Sequence, residues 1–101
     1  MKKYLFLLFT SIIVSGCSLF DGNKVEFTVY PDPTTGEIHV LPNEDQTYTV
    51  NIISVDSGEI VEQSNCRLHC LYDISSEPSG FYWVKLIAVD GSVGRTKIEK
   101  L

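Results

Sequence analysis

The sequence predicts an all-β sandwich, and three observations carry that prediction. Past the first two dozen residues no segment shows a helical hydrophobic period. Short β-branched and aromatic runs recur instead, each closed by a cluster of Pro, Gly, Asp, Asn or Ser. Several of the runs alternate apolar and polar residues with period two, as strands with one buried face do. About seven short strands at this spacing suit a two-layer sandwich better than a barrel.

The elements follow in order. Val25–Tyr30 ("VEFTVY") sets Val25, Phe27 and Val29 against Glu26 and Thr28. Pro31 and Pro33 cannot donate ladder hydrogen bonds, and Thr34-Thr35-Gly36 supplies a turn. The stretch "YPDPTTGEI" is therefore a stiff corner within the domain, leading into a second strand over Glu37–Leu41. Tyr48–Val55 is a third strand whose alternation slips at Ile52-Ile53, where a bulge or two-sided burial is expected. Asp56-Ser57-Gly58 makes a hairpin turn into Glu59–Gln63. Cys66–Ile74 reads as one strand, with Cys66, Leu68, Cys70, Tyr72 and Ile74 on one face and Arg67, His69, Leu71 and Asp73 on the other. Phe81–Val89 ("FYWVKLIAV") is the most apolar run and the expected central strand. Arg95–Leu101 closes the chain as an edge strand carrying Lys97 and Lys100.

The N-terminal residues have a separate logic. Lys2 and Lys3, the apolar run Tyr4–Val14 and the small residues Ser15 and Gly16 form the three-part layout of a secretory signal. That run is short for a bilayer span, which needs about 20 residues. "VSGC" resembles a bacterial lipoprotein lipobox. The resemblance implies cleavage before Cys17 and acylation of its thiol and amine. At about 0.8 kcal/mol per buried methylene, more than one acyl chain anchors stably. Three regions result: a signal at residues 1–16, a lipidated cysteine and tether at 17–24, and one small sandwich at 25–101. The tether reaches about 20 Å at most, so the domain stays near its membrane.

Charge narrows the partners. The chain of 101 residues carries 13 acidic and 8 basic residues, and two of the bases leave with the signal. That balance argues against nucleic acid and anionic lipid, which want clustered positive charge. With Cys17 assigned to lipid, Cys66 and Cys70 remain, and an even pair in an oxidising compartment invites a disulfide. In one extended strand their Cα atoms would stand about 13 Å apart, whereas a bridge needs about 7 Å or less. "RLH" between them contains no turn former, so a bridge would demand an unannounced turn, and the redox state stays open.

Four segments together resemble the C-terminal sorting domain of type IX secretion cargo: "VYPDPTTGEI" (29–38), "VNIISVDSGEIV" (50–61), "YDISSEPSGFYWVKL" (72–86) and "GRTKIEKL" (94–101). Asp32 stands where that family usually has asparagine, and Glu77 where it usually has an apolar residue. The resemblance covers nearly all of the chain after the tether. It implies an immunoglobulin-like antiparallel β-sandwich and a role in export. The chain also looks like small Bacteroidota lipoproteins that join a lipobox to one sandwich.

Chemistry is sparse. A zinc site wants about four converging ligands, yet His69 would point away from Cys66 and Cys70, and His39 is distant in sequence. Core packing of the cysteines is the expected state, with no metal and no cofactor. No serine sits in a Gly-x-Ser-x-Gly elbow, and His69 and Asp73 on one strand are too far apart for half a triad. Glu44 and Asp45 fall in a polar loop and are expected to be solvated, while Asp56 and Asp90 are turn formers before they are cation ligands. The best binding candidates are Phe81, Trp83 and Tyr30, exposed aromatics able to hold a sugar or a protein. The competing arrangement, and the favoured one, covers the Phe81–Trp83 face with the second sheet or the Leu41–Thr47 loop.

The expected function is a non-enzymatic, lipid-anchored envelope protein: an adhesion, assembly or binding module made of one sorting-domain-like sandwich. Its partners are the bilayer through acylated Cys17 and an envelope or secretion-machinery protein. The second reading is a true sorting domain, alone or as a fragment of a larger cargo. Ser18 resembles the default for outer-membrane lipoproteins. The absence of an acidic run after Cys17 favours the periplasmic leaflet over the surface.

Overall fold

The computed structural model describes residues 24–101. The expected signal, the acylation site Cys17 and the tether up to residue 23 lie outside the described residues. Seven strands form in chain order: β1 (Phe27–Tyr30), β2 (Glu37–Pro42), β3 (Thr47–Ser54), β4 (Ile60–Arg67), β5 (Cys70–Asp73), β6 (Gly80–Ala88) and β7 (Val93–Lys100). They divide into two antiparallel sheets, one ordered β1-β2-β5 and the other β4-β3-β6-β7. The all-β sandwich read from the sequence is thus the observed fold.

Period-two patterning builds the core. Ile38 and Val40 on β2, Val50 and Ile52 on β3, and Val84 and Leu86 on β6 are all fully buried between the sheets. Each such side chain contributes about 1.5–3 kcal/mol when taken out of water. Phe27 and Val29 pack against this cluster from β1. The expected slip at Ile52-Ile53 is a register shift between β3 and β4, and Asp56-Ser57-Gly58 closes the β3–β4 hairpin, with Gly58 N–H donating to the Ser54 carbonyl at 2.8 Å. Tyr82, buried near the start of β6, donates its hydroxyl to the Pro78 carbonyl at 2.6 Å. This is a tyrosine corner, a recurrent feature of immunoglobulin-like sandwiches. Burial raises the Tyr82 phenol pKa, and Glu77 and Asp56 add to the shift.

The Cys66–Ile74 segment departs from the single strand expected of it. β4 continues through Asn65 to Arg67 in one sheet, and β5 starts at Cys70 in the other. Between them the His69 N–H donates to the Arg67 carbonyl at 2.9 Å, and Leu68 takes φ +73°. That is a tight γ-turn, a conformation a bulky residue rarely adopts. Leu68 is consequently thrown outward and exposed rather than sharing a face with Cys66. The turn brings the Cys66 and Cys70 Cα atoms to 5.8 Å, and the two are disulfide-bonded. The strand geometry that argued against a bridge fails because the chain changes sheets here. Lys100 also differs from its expected edge position: it is buried, with Nζ donating to the Leu101 carbonyl at 3.3 Å.

The Pro-rich corner is the other decisive connection, and both of its X-Pro bonds, Tyr30-Pro31 and Asp32-Pro33, are cis. Thr34, almost fully buried, makes a parallel bridge to Lys100. Gly36 then passes so close to Ser75 that a Cβ would sit 2.6 Å from the Ser75 Cβ and 2.7 Å from its Cα, at φ +153°. Gly36→Ala should therefore destabilise the domain by at least about 1 kcal/mol, lowering Tm by about 4–8 °C per kcal/mol in a domain this small. Thermal melts followed by circular dichroism measure it, and an unchanged Tm would refute the close approach.

Candidate functional site

The corner residues serve the fold. Asp32 Oδ1 accepts from the Glu99 N–H at 3.0 Å. Thr34 N–H donates to the Glu99 carbonyl, and the Leu101 N–H donates back to the Thr34 carbonyl, both at 2.9 Å. Thr34 Oγ1 donates to the Glu37 carbonyl at 2.6 Å and accepts from the Gly36 N–H at 3.0 Å. The corner thus holds the outer edge of β7 at its C-terminal end. An asparagine side-chain oxygen would accept the Glu99 bond equally well, so the aspartate here preserves the contact.

The outer face of β6 and β7 gathers the most distinctive surface chemistry. Tyr82, Val84, Leu86 and Ala88 face the core. Phe81, Trp83, Lys85 and Ile87 therefore point outward. Across the ladder Trp83 pairs with Lys97 and Lys85 with Arg95. The Arg95 guanidinium lies over the Trp83 ring at 4.4 Å from its centroid. Lys97 Nζ stands 5.4 Å from the Phe81 ring and 5.6 Å from the Trp83 ring. Phe81 is 47% exposed and Trp83 only part-buried. The covered arrangement is thereby corrected: the second sheet packs on the opposite side of β6, and the 43–46 loop lies elsewhere, its Asn43 N–H bonded to the Glu26 carbonyl.

Tyr30 does not join that face. It is exposed on the outside of the three-stranded sheet, stacked on His39 with ring centroids 4.7 Å apart and planes 3° from parallel. The three aromatic candidates thus divide between two opposite outer faces. His39, distant from His69 in sequence, meets it in space: Nδ1 of His39 lies 3.0 Å from Nε2 of His69.

The remaining candidates are absorbed by structure. Asp45 is not merely solvated: it pairs with Arg67 through two contacts at 2.8 and 3.3 Å. Asp73 accepts from the Ser75 N–H at 2.8 Å, and Ser75 holds its carboxyl below the usual pKa, the side-chain contact first. Asp90 does the same with Ser92, the backbone bond acting first. Both are turn-capping acids. Among the described residues no group of three or more His, Cys, Asp or Glu side chains is placed to hold a metal. Two surface depressions occur among the described residues, one lined by residues including Glu26 and Asn43, the other by residues including Asp56 and Glu77.

Sequence reasoning missed two features, the histidine pair and the cation–aromatic ladder, and left the disulfide open. The ladder had a signal. Arg95 and Lys97 share the parity of Glu99, and the aromatic pair shares that of Lys85. Only the adjacency of β6 and β7 was needed to join them.

Comparison with known proteins gives this geometry its context. A family model described as the secretion system C-terminal sorting domain matches residues 28–99. Among solved structures, a DUF3244 family protein from Bacteroides vulgatus with an immunoglobulin-like β-sandwich fold superposes with TM-score 0.64 at 15% identity. The alignment covers 74% of this chain and 84% of that one, and at such identity the likeness shows the fold alone. No curated protein matches. With its corner, mid-domain hairpin, tyrosine-bearing strand and closing basic strand each in order, and the family model running from β1 into β7, the chain belongs to the secretion system C-terminal sorting domain family.

Proposed function

We propose that this chain is a non-enzymatic module of the cell envelope, anchored to lipid through Cys17, whose sandwich binds an acidic glycan on the outer face of β6 and β7. One observation carries the binding half. Lys85 and Arg95 are direct cross-strand neighbours, with Lys97 beside them, in a chain of net charge −5. Like charges set opposite each other destabilise a sheet. The two ion pairs among the described residues, His39–Glu37 and Arg67–Asp45, involve none of these three cations. Exposed cation–π contacts return only about 0.5–1 kcal/mol each. A carboxylate-bearing sugar answers the uncompensated charge, since its acids meet the cations while its ring packs on the exposed Phe81, with Trp83 holding Arg95 in place.

The anchoring half rests on "VSGC" and on the signal layout before it. Membership of a sorting-domain family supports a cell-envelope or secreted location, Ser18 supports the outer membrane, and the lack of an acidic run after Cys17 supports its periplasmic leaflet. Palmitate should label the protein in cells and the label should vanish in Cys17→Ala. Equal partitioning of both proteins into the aqueous phase of a detergent extraction would remove the anchor.

For the binding face, the double variant Arg95→Glu/Lys97→Glu and the single variant Trp83→Ala should each weaken retention on immobilised polygalacturonate by about tenfold or more. Retention should also fall with rising salt, as screening requires. Retention that neither variant alters would discard this face.

The family match also favours a second reading, genuine sorting by type IX export, alone or as part of a larger cargo. Residues 25–101 fused behind a periplasmically targeted reporter should then carry it across the outer membrane of a competent strain. Reporter held in the periplasm would exclude that role.

A further inference from the structure

The outer face of the three-stranded sheet, on the far side of the sandwich from the aromatic–cationic ladder, carries a different constellation. His39 sits mid-strand on β2, directly between Tyr30 of β1 and Leu71 of β5. Tyr30 covers one side of its ring as a parallel stack. His69 arrives from the turn between β4 and β5. That turn is bracketed by the Cys66–Cys70 disulfide, so the imidazole is presented from a five-residue covalent loop. The outcome is a contact of 3.0 Å between His39 Nδ1 and His69 Nε2. His39 is half-buried and His69 exposed.

We infer that His39 and His69 form a two-histidine site for a late first-row divalent cation, with Cu²⁺ preferred. The spacing supports it. Two imidazole nitrogens bound at about 2.0 Å stand about 2.8 Å apart in cis positions of a tetragonal Cu²⁺ site and about 3.3 Å apart around tetrahedral Zn²⁺. The observed 3.0 Å falls between those limits. The two rings lie 27° from parallel with centroids 5.2 Å apart, and chelation requires each ring to turn its facing lone pair about 35–45° off the N–N line, a swing the exposed His69 is free to make.

Proton placement agrees as well. In the metal-free pair one facing nitrogen carries the hydrogen donated to the other. Chelation needs both facing nitrogens bare, so that ring takes its other neutral tautomer and no net proton is lost. In the loaded site the His39 proton therefore sits on Nε2, and Glu37 Oε1 stands 3.6 Å from that atom. A carboxylate behind a ligating histidine is the usual outer-shell arrangement, and it raises the basicity of the ligand. With no third His, Cys, Asp or Glu placed to ligate among the described residues, water fills the other positions. Tetragonal Cu²⁺ tolerates that better than structural zinc, which closes its shell with protein ligands. The Irving–Williams order points the same way.

The test is calorimetric titration of the full chain, purified without an affinity tag, with CuCl₂ and separately with ZnCl₂. Copper should bind at about one equivalent per chain and more tightly than zinc. His39→Ala and His69→Ala should each weaken copper binding about tenfold or more, and Glu37→Gln should weaken it by a smaller factor. Electron paramagnetic resonance of the copper complex should report imidazole nitrogens that disappear from the histidine variants. Both substitutions lie on an outer face, and circular dichroism verifies that the variants stay folded. Absence of copper binding, affinity unchanged in both histidine variants, or a spectrum without imidazole nitrogen would each overturn the site.

Discussion

The structure depends on how a short chain closes the open edge of its larger sheet. β7 pairs with β6 on one side only, and a bare edge invites pairing with another chain. Two segments from the start of the domain occupy that edge. Near one end Val25 hydrogen-bonds Val93, and Gly94 leaves room for the Val25 carbonyl, which any Cβ would strike. At the other end Asp32 and Thr34 bind Glu99 and Leu101. Between the clamps stand Arg95 and Lys97, whose charges protect an edge electrostatically. The corner motif thus joins the first strand of the domain to the last, and the two sheets are held in register by a contact spanning nearly the whole fold.

The opposite side of the sandwich closes by different means. There the chain steps from β4 in one sheet to β5 in the other within a few residues. A leucine takes a positive φ that costs about 1–3 kcal/mol in isolation, and it persists because its surroundings over-determine it. The disulfide supplies part of that determination. The Ser64 and Tyr72 hydroxyls add a second tie between the strands at 2.9 Å. Burial raises the Tyr72 phenol pKa, outweighing the opposing effect of the Ser64 bond. Both hydroxyls therefore stay protonated at neutral pH and available to this bond.

With both edges secured, the outer faces are free to differ. One bears aromatic rings under cations and no neutralising acid among its central residues. The other bears two imidazoles, a phenol and a carboxylate. In a thin sandwich a side chain pointing away from the core contributes little to burial, so its identity is constrained mainly by what it meets outside.

The sequence by itself determined the layering. The apolar run Phe81–Val89 marked the central strand, though not which of its faces is open, and Pro31, Pro33 and Gly36 announced the corner. Asp56-Ser57-Gly58 announced the hairpin, and the slip at Ile52-Ile53 announced the bulge. These are local signals, set by the two-residue repeat of the pleat and by the dihedral limits of proline and glycine. The tertiary structure alone decided what lay across strands. The Cys66–Cys70 bridge stayed open while one strand was assumed, because nothing in "RLH" marks the change of sheet that makes it possible. His39 and His69 met only when β2 paired with β5. Lys85, Arg95 and Lys97 became one patch only when β7 lay antiparallel to β6. Pairing order is a property of the whole core, and local periodicity carries no record of which strand becomes whose neighbour.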